Sequence, residues 1–322
     1  MSRTVRLLVA VGRPEFLPAN SASLFIGVSW GLTLPVDIVL GLAVPLVLTF
    51  AVVTLVAAFA AHINTLSDYE LDVKDDTKTK LVQAMGQLGR RKLKRFMAVE
   101  LSLSLALLLL LVVIQSKPIL LFMWVTAVFF AYAYSAPPLR LKSRSFLAVI
   151  TLMIVLSILP VTFVAYVFTT TLGFSYWLFL AGQAITVYAV IIPAEIRDYF
   201  VDKAKGVATM TVQLGLTNAS LLGLTLLSLG GILCGAGFVL ELAVGSLQVL
   251  SVFLLVMALA YVYVLSKYLN LYHLSKELIK PDRQEQTEKD VVGLAAKNPK
   301  WITLITQSIV VMCLVLLISK LI

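Results

Sequence analysis

Oxygen-bearing side chains recur every fourth residue in the stretch NTLSDYELD, which occupies positions 64–72. Four residues advance about 400° around an α-helix, so Asn64, Asp68 and Asp72 are predicted to lie along one stripe. Like charges at this spacing repel each other unless a cation lies between them. Carboxylate and amide oxygens are ligands of Mg²⁺, which also binds substrate phosphates. A single stripe is consistent either with a cation site or with an ordinary solvated helix end.

A second acidic stripe lies 130 residues further along the chain, at Asp198 and Asp202. When residues 68–83 are laid over residues 198–213, six of the sixteen positions are identical. We infer an internal repeat, whose two halves would turn the acidic stripes toward each other. Facing aspartate pairs could hold about two or three Mg²⁺ ions bridged by a diphosphate. The presence of two stripes therefore favours the cation site.

Basic residues near the stripes would complete a site for a diphosphate. Arg140 and Lys142 follow a Pro-Pro pair in YAYSAPPLRLKSR, a rigid turn that can aim their side chains. Lys78 and Lys80 follow the first stripe. Each of these cations could equally be an ordinary anchor at a membrane surface.

Membrane-spanning helices must position these residues. The chain is 60% hydrophobic and 13% charged, with a mean hydropathy of +0.97, which lies outside the range of soluble domains. A spanning helix needs roughly 20 apolar residues. Nine stretches qualify, at about 16–33, 36–62, 94–115, 118–134, 145–169, 173–193, 216–237, 245–267 and 301–321. The predicted fold is an all-α, polytopic membrane bundle that forms one domain over residues 1–322.

The basic residues indicate membrane topology and argue against nucleic-acid binding. Of the 26 Lys and Arg residues, only Lys117 and Lys320 fall outside the N-terminal segment and the loops that follow the second, fourth, sixth and eighth predicted spans. By the positive-inside rule, the N-terminus is cytoplasmic and the C-terminus lies outside. The acidic-motif loops, 64–92 and 195–215, and the loop 268–300 are then cytoplasmic. The two motifs are separated by four predicted helices, which is an even number, so both halves would have the same orientation in the membrane. The repeat is therefore predicted to be parallel, with its axis along the membrane normal.

The two motifs resemble those of the UbiA superfamily of intramembrane prenyltransferases, whose pattern is NDxxDxxxD after the second helix and DxxxD after the sixth. The segments GRP at 12–14, YSAPPLRLK at 134–142 and KGVATMTVQLG at 205–215 support this resemblance, as does the nine-helix topology. Thr65 stands where the family has its first Asp. Glu195 could supply an extra carboxylate to the second motif.

The resemblance implies an enzyme that uses Mg²⁺ and an isoprenyl diphosphate donor to prenylate an aromatic or lipid acceptor through an allylic carbocation. Its site would open to the cytoplasmic side of the membrane. The implied ligands of Mg²⁺ are Asn64, Asp68, Asp72, Asp198 and Asp202. Lys80, Arg140 and Lys142 would contact the diphosphate, and Tyr134 and Ser135 would lie near the reacting carbon.

Three polar residues are candidates to face the acceptor. Asn20 and Gln183 lie inside predicted spans, where they could equally serve helix packing. His62 lies near Asp68 in the sequence and could take a proton from the acceptor, or be an ordinary hydrogen-bonded residue.

Two other classes of membrane protein share some of these features. A non-enzymatic transporter of isoprenoid phosphates or lipids would also have parallel repeats, but its ionisable residues are expected near the bilayer midplane. Here the acids lie at the ends of predicted spans. Transferases that act on CDP-alcohols carry a DGxxAR-type motif, and no such string occurs in this sequence.

Overall fold

The computed structural model describes residues 3–12, 17–32, 41–73, 78–204, 206–207, 209–242, 247–278 and 284–321. Within these ranges all regular structure is helical, which confirms the predicted all-α fold. The helices are α1 (Arg3–Val11), α2 (Leu17–Gly31), α3 (Ala43–Asp72), α4 (Thr79–Leu88), α5 (Arg90–Gln115), α6 (Ile119–Ser135), α7 (Ser145–Met153), α8 (Leu159–Phe168), α9 (Phe174–Ala189), α10 (Ile192–Ala204), α11 (Met210–Leu214), α12 (Leu216–Leu242), α13 (Leu247–Glu277), α14 (Gln284–Ala295) and α15 (Asn298–Leu321). A π-helical turn, Ile154–Ile158, joins α7 to α8, and a 3₁₀ turn, Leu141–Ser143, precedes α7.

Seven helical segments are long and apolar enough to cross a membrane. They are Ala43–Asp72, Arg90–Gln115, Ser145–Phe168, Phe174–Ala204, Leu216–Leu242, Ser251–Glu277 and Glu285–Lys320. Two shorter apolar helices, Ala22–Gly31 and Ile119–Ser135, accompany them. The count of nine spans, the orientation of the termini and the internal repeat stay predictions.

Helices α9 and α12 approach each other closely because glycines line their contact. A Cβ atom on Gly182 of α9 would lie 2.5 Å from the backbone nitrogen of Cys234 and 2.7 Å from the carbonyl oxygen of Gly230. In the same seam, a Cβ atom on Gly237 would lie 2.6 Å from the Cβ of Phe179. Small residues favour helix association in membranes, since they let two backbones approach. This seam joins α9, which continues toward the second acidic motif, to α12.

Replacing Gly182 with Ala is expected to destabilise the protein, because the new methyl group would collide with the backbone of α12. Overpacking of this kind costs about 1–3 kcal/mol, and we expect a clear fall in melting temperature in detergent. Gly235 of α12 is a matched control, since a Cβ there meets no atom within 4 Å. Gly235→Ala should leave the melting temperature unchanged or raise it slightly, because Ala favours a helix over Gly. Equal melting temperatures for the two variants would contradict the close packing of α9 on α12.

The two basic residues that break the charge pattern both have structural partners. Lys117 Nζ donates hydrogen bonds to the carbonyl oxygens of Tyr166, Val167 and Thr169, at 2.9, 2.9 and 3.1 Å. These are carbonyls that the end of α8 leaves without partners in the helix. Lys320 forms an ion pair of 3.0 Å with Glu241 near the end of α12. Lys117 therefore binds the end of α8 and Lys320 binds near the end of α12. These contacts account for two lysines that lie outside the predicted cytoplasmic segments.

Candidate active site

The first acidic motif lies on the last turns of α3. This helix runs without interruption through residues 64–72, so Asn64, Asp68 and Asp72 share one face, as the spacing predicted. Asp72 is buried, and the Asp68 side chain is 19% exposed. Carboxylates at such positions lose much of their hydration, and they need cations or hydrogen-bond donors to compensate.

Two cations from the segment after α6 supply that compensation. Lys142 Nζ donates a hydrogen bond to Asn64 Oδ1 at 2.8 Å, and it also pairs with Asp68 Oδ2. An Arg140 guanidinium nitrogen donates to Asp68 Oδ1 at 3.0 Å. Burial lowers the pKa of Lys142, while its hydrogen bond to Asp68 opposes that change. The structure thus brings together two predicted metal ligands and two predicted diphosphate-binding residues. We call these four residues the clamp.

The backbone of the segment after α6 aims both cations at α3. Helix α6 ends at Ser135, and Arg140 adopts a left-handed conformation with φ of 39°. A non-glycine residue adopts this conformation at a cost of about 1–2 kcal/mol. The turn is stabilised by a hydrogen bond from the Arg140 backbone nitrogen to the Ala136 carbonyl at 2.9 Å and by one from Ser143 Oγ to the Arg140 carbonyl at 2.8 Å. These bonds keep Arg140 and Lys142 on the side that faces the motif.

Asp72 pairs with a different lysine from the one predicted to bind diphosphate. Lys78 Nζ lies 2.6 Å from Asp72 Oδ1. Lys80 is exposed on α4 and makes no ion pair within the described part of the chain. Both lysines follow the first stripe in the sequence, and the structure places Lys78 beside the motif.

The end of α6 contributes Tyr134 and Ser135 to the same region. Ser135 Oγ donates to Asn64 Oδ1 at 3.2 Å. The Tyr134 hydroxyl lies within electrostatic range of Asp68 on α3 and of Glu195 on α10. Tyr134 is therefore close enough to interact with carboxylates of both α3 and α10.

The second motif lies on α10, where the structure directs its carboxylates differently. Asp198 is about half exposed and pairs with its neighbour Arg197 at 2.7 Å. Glu195 Oε2 accepts hydrogen bonds from the backbone nitrogen and the hydroxyl of Thr211, at 3.2 and 2.8 Å. Glu195 also lies within electrostatic range of Asp202 and of the tyrosines at 134 and 188.

Packing of α10 explains this difference. Its buried face is formed by Ile192, Ile196 and Tyr199. At 100° per residue, Glu195 is rotated by about 60° from Ile192, whereas Asp198 is rotated by about 120° and turns outward. From the sequence, Glu195 is only a possible extra carboxylate, because the DxxxD spacing does not show which side of α10 is buried.

The donor set of the first motif suits Mg²⁺. Among the residues that the structure describes, no three His, Cys, Asp or Glu side chains lie close enough to form a metal site by themselves. However, Asn64 and Asp68 already direct oxygen atoms at one cation, the Lys142 ammonium group. Mg²⁺ in phosphate-binding sites typically takes one or two carboxylates and completes its shell with phosphate oxygens and water. The residues present therefore fit this ion when it arrives with a diphosphate.

The three candidates for the acceptor side differ in their surroundings. His62 is buried, with Nδ1 2.9 Å from Glu100 Oε1 and Nε2 3.3 Å from the Leu8 carbonyl oxygen, so it links α3 to α5 and α1. Gln183 Oε1 is buried and has no hydrogen-bond partner within the described residues. A buried amide oxygen without a donor is costly, and a bound ligand could supply one. The side chain of Asn20 lies outside the described residues.

Comparison with known proteins identifies the family and the fold. A model of the UbiA prenyltransferase family matches residues 24–277. No curated protein matches the chain by sequence. A structure of digeranylgeranylglyceryl phosphate synthase aligns over 97% of this chain and 99% of its own, with a TM-score of 0.65 and 17% identity. A UbiA homolog from Archaeoglobus fulgidus bound to GPP and Mg²⁺ aligns over 93% of this chain and 99% of its own, with a TM-score of 0.62 and 17% identity. The same homolog bound to DMAPP and Mg²⁺ aligns over 92% of this chain and 98% of its own, again with a TM-score of 0.62 and 17% identity. At this level of identity, the structural likeness shows a shared fold.

Proposed function

The chain belongs to the UbiA prenyltransferase family, and from this premise we propose that it transfers a prenyl group from an isoprenyl diphosphate to a hydrophobic or aromatic acceptor. The observation that carries the proposal is the clamp, in which α3 presents oxygen ligands directly against two cations from another part of the chain. The A. fulgidus homolog, which binds GPP and DMAPP with Mg²⁺, supports an allylic isoprenyl diphosphate as the donor. The excess of basic residues at this end of the helices supports a site that opens to the cytoplasm.

The clamp residues would stabilise the leaving group as the bond between the allylic carbon and the diphosphate oxygen breaks. Bound Mg²⁺ supplies positive charge that neutralises the departing diphosphate. Asn64 and Asp68 would hold that ion, together with Asp72. Arg140 and Lys142 would add charge-assisted hydrogen bonds to the diphosphate oxygens. Because the segment after α6 already positions both cations, little reorganisation is needed when the negative charge develops.

The other side of the site would manage the carbocation and the acceptor. The electron-rich rings of Tyr134 and Tyr188 would stabilise a nearby cation. The acceptor must lose a proton when its new bond forms, and we propose that Glu195 accepts it. Thr211 holds its Oε2, while Oε1 makes no hydrogen bond within the described residues. Asp198 and Asp202, the two aspartates of the second motif, remain proposed ligands for Mg²⁺.

The position of the acids also bears on the transporter alternative. Asp68 and Asp72 lie in the last two turns of α3, at the end of a candidate span. Transporter sites with ionisable residues are expected near the bilayer midplane. This placement favours chemistry at the membrane surface over passage of a charged group through the bundle.

The proposal is tested by incubating purified protein and Mg²⁺ with radiolabelled geranylgeranyl diphosphate and one acceptor at a time. Suitable acceptors are a hydroxylated aromatic acid, a dihydroxynaphthoate and a glyceryl phosphate ether. We expect one class to yield a labelled product with the mass of the prenylated acceptor, and chelation with EDTA to abolish it. Movement of unchanged label across reconstituted vesicles, without product from any acceptor, would instead support the transporter.

A further inference from the structure

A groove between α1 and the first turns of α5 lies apart from the clamp. It is lined by Thr4 of α1 and by Lys92, Arg95, Phe96 and Val99 of α5, and it encloses about 310 Å³. We call it the basic groove. Two of its five lining residues are cations and two are apolar, so it offers a charged end and a hydrophobic end to a ligand.

The cations of the basic groove have no acidic partners in the described part of the chain. Lys92 and Arg95 are exposed, and neither forms an ion pair within the described ranges. The neighbouring Arg90, by contrast, pairs with Glu70 at 3.0 Å. Two unpaired cations in one concave site repel each other, and an anion between them would relieve that repulsion.

The apolar end of the basic groove continues along the outer face of α5. Lys92, Phe96, Val99, Leu103 and Leu110 fall on one stripe of this helix, since their spacing keeps them within about 60° of each other. Val99, Leu103 and Leu110 are 58%, 47% and 48% exposed, on a helix long and apolar enough to span a membrane. A stripe that changes from cationic to apolar along a spanning helix matches an amphiphile with an anionic head and a hydrocarbon tail.

We propose that the basic groove binds the head-group phosphate of an anionic phospholipid, whose acyl chain lies along the stripe that continues from Val99. Lys92 and Arg95 would donate charge-assisted hydrogen bonds to the phosphate oxygens. Thr4 adds a hydroxyl from α1. The ligand is a membrane phospholipid because the apolar stripe follows the spanning part of α5, where a soluble phosphate ester would leave it uncovered.

The test compares two double variants that remove the same charge from the same turns of α5. Lys92→Gln with Arg95→Gln changes the basic groove, whereas Arg91→Gln with Lys94→Gln changes neighbouring exposed cations that do not line it. Binding of phosphatidylglycerol and phosphatidylcholine to the full-length protein is measured by native mass spectrometry in EDTA. We expect the wild type to prefer phosphatidylglycerol. The groove variant should bind that lipid about tenfold or more weakly, and the control variant should lose much less affinity, because Arg91 and Lys94 do not line the groove.

Three results would overturn the proposal. Equal weakening by both double variants would assign the lipid preference to the diffuse positive charge of this membrane surface. Displacement of phosphatidylglycerol by inorganic phosphate would assign the groove to a soluble phosphate ligand, and displacement by geranylgeranyl diphosphate would assign it to the donor. Melting temperatures establish that each variant is folded, and if a double variant fails that check, the single variants Lys92→Gln and Arg91→Gln give the same comparison.

Discussion

Asp68→Asn is expected to reduce Mg²⁺-dependent prenyl transfer by about 10²-fold or more, which is the loss that follows removal of one preorganised electrostatic group from an active site. The substitution keeps the shape of the side chain but removes the charge that Arg140 and Lys142 both bind. It also removes a proposed metal ligand. The rate of diphosphate release from geranylgeranyl diphosphate, in the presence of the acceptor that the product assay identifies, measures this loss.

Glu70→Gln is the matched control for this variant. Glu70 lies on α3 two residues beyond Asp68, but its side chain is 81% exposed and pairs with Arg90. Exposed ion pairs contribute about 1 kcal/mol or less, so this control should keep the melting temperature and the rate of the wild type. If Asp68→Asn retained the wild-type rate, or if both variants lost it equally, the role proposed for the clamp would be wrong.

Lys142→Met is expected to weaken binding of the donor diphosphate by about 10- to 100-fold, the value of a hydrogen bond to a charged group. Lys142 contacts both Asn64 and Asp68. In the proposed complex, its ammonium group neutralises part of the charge of the diphosphate. Methionine preserves much of the length of the side chain and removes the charge together with the hydrogen-bond donors. Equilibrium binding of geranylgeranyl diphosphate in Mg²⁺ measures the effect.

Arg144→Met controls for the loss of one positive charge from the same segment. Arg144 is exposed, and its side chain has no ion pair or hydrogen bond within the described residues. Long-range attraction between exposed charges is largely screened beyond about 10 Å at moderate ionic strength. The control should therefore bind the donor nearly as well as the wild type. Similar affinities for both variants would show that Lys142 has no special contact with the diphosphate.

The sequence predicted the first motif well because its geometry is local. Asn64, Asp68 and Asp72 share one face of α3 by helical periodicity alone. The rigid proline pair before Arg140 and Lys142 made these two cations candidates for a diphosphate site. Their contact with Asn64 and Asp68 on α3 depends on how the helices pack, and the structure shows it.

The remaining parts of the site depend on tertiary structure, which the sequence pattern does not give. Lys78 and Lys80 are two residues apart, and the packing of helices, not the sequence pattern, decides that Lys78 reaches Asp72. Likewise, the rotation of α10 about its axis is set by the burial of Ile192 and Ile196. That rotation brings Glu195 toward Tyr134, and the DxxxD spacing alone could not reveal it.

The most direct test of the central claim is equilibrium binding of geranylgeranyl diphosphate to the purified wild-type protein, measured once with Mg²⁺ and once with EDTA. We expect tight binding that requires Mg²⁺, because oxygen ligands on α3 need a divalent cation to hold an anionic diphosphate beside them. Binding that is equal in EDTA, or no binding in either condition, would contradict a metal-dependent donor site and would favour the transporter.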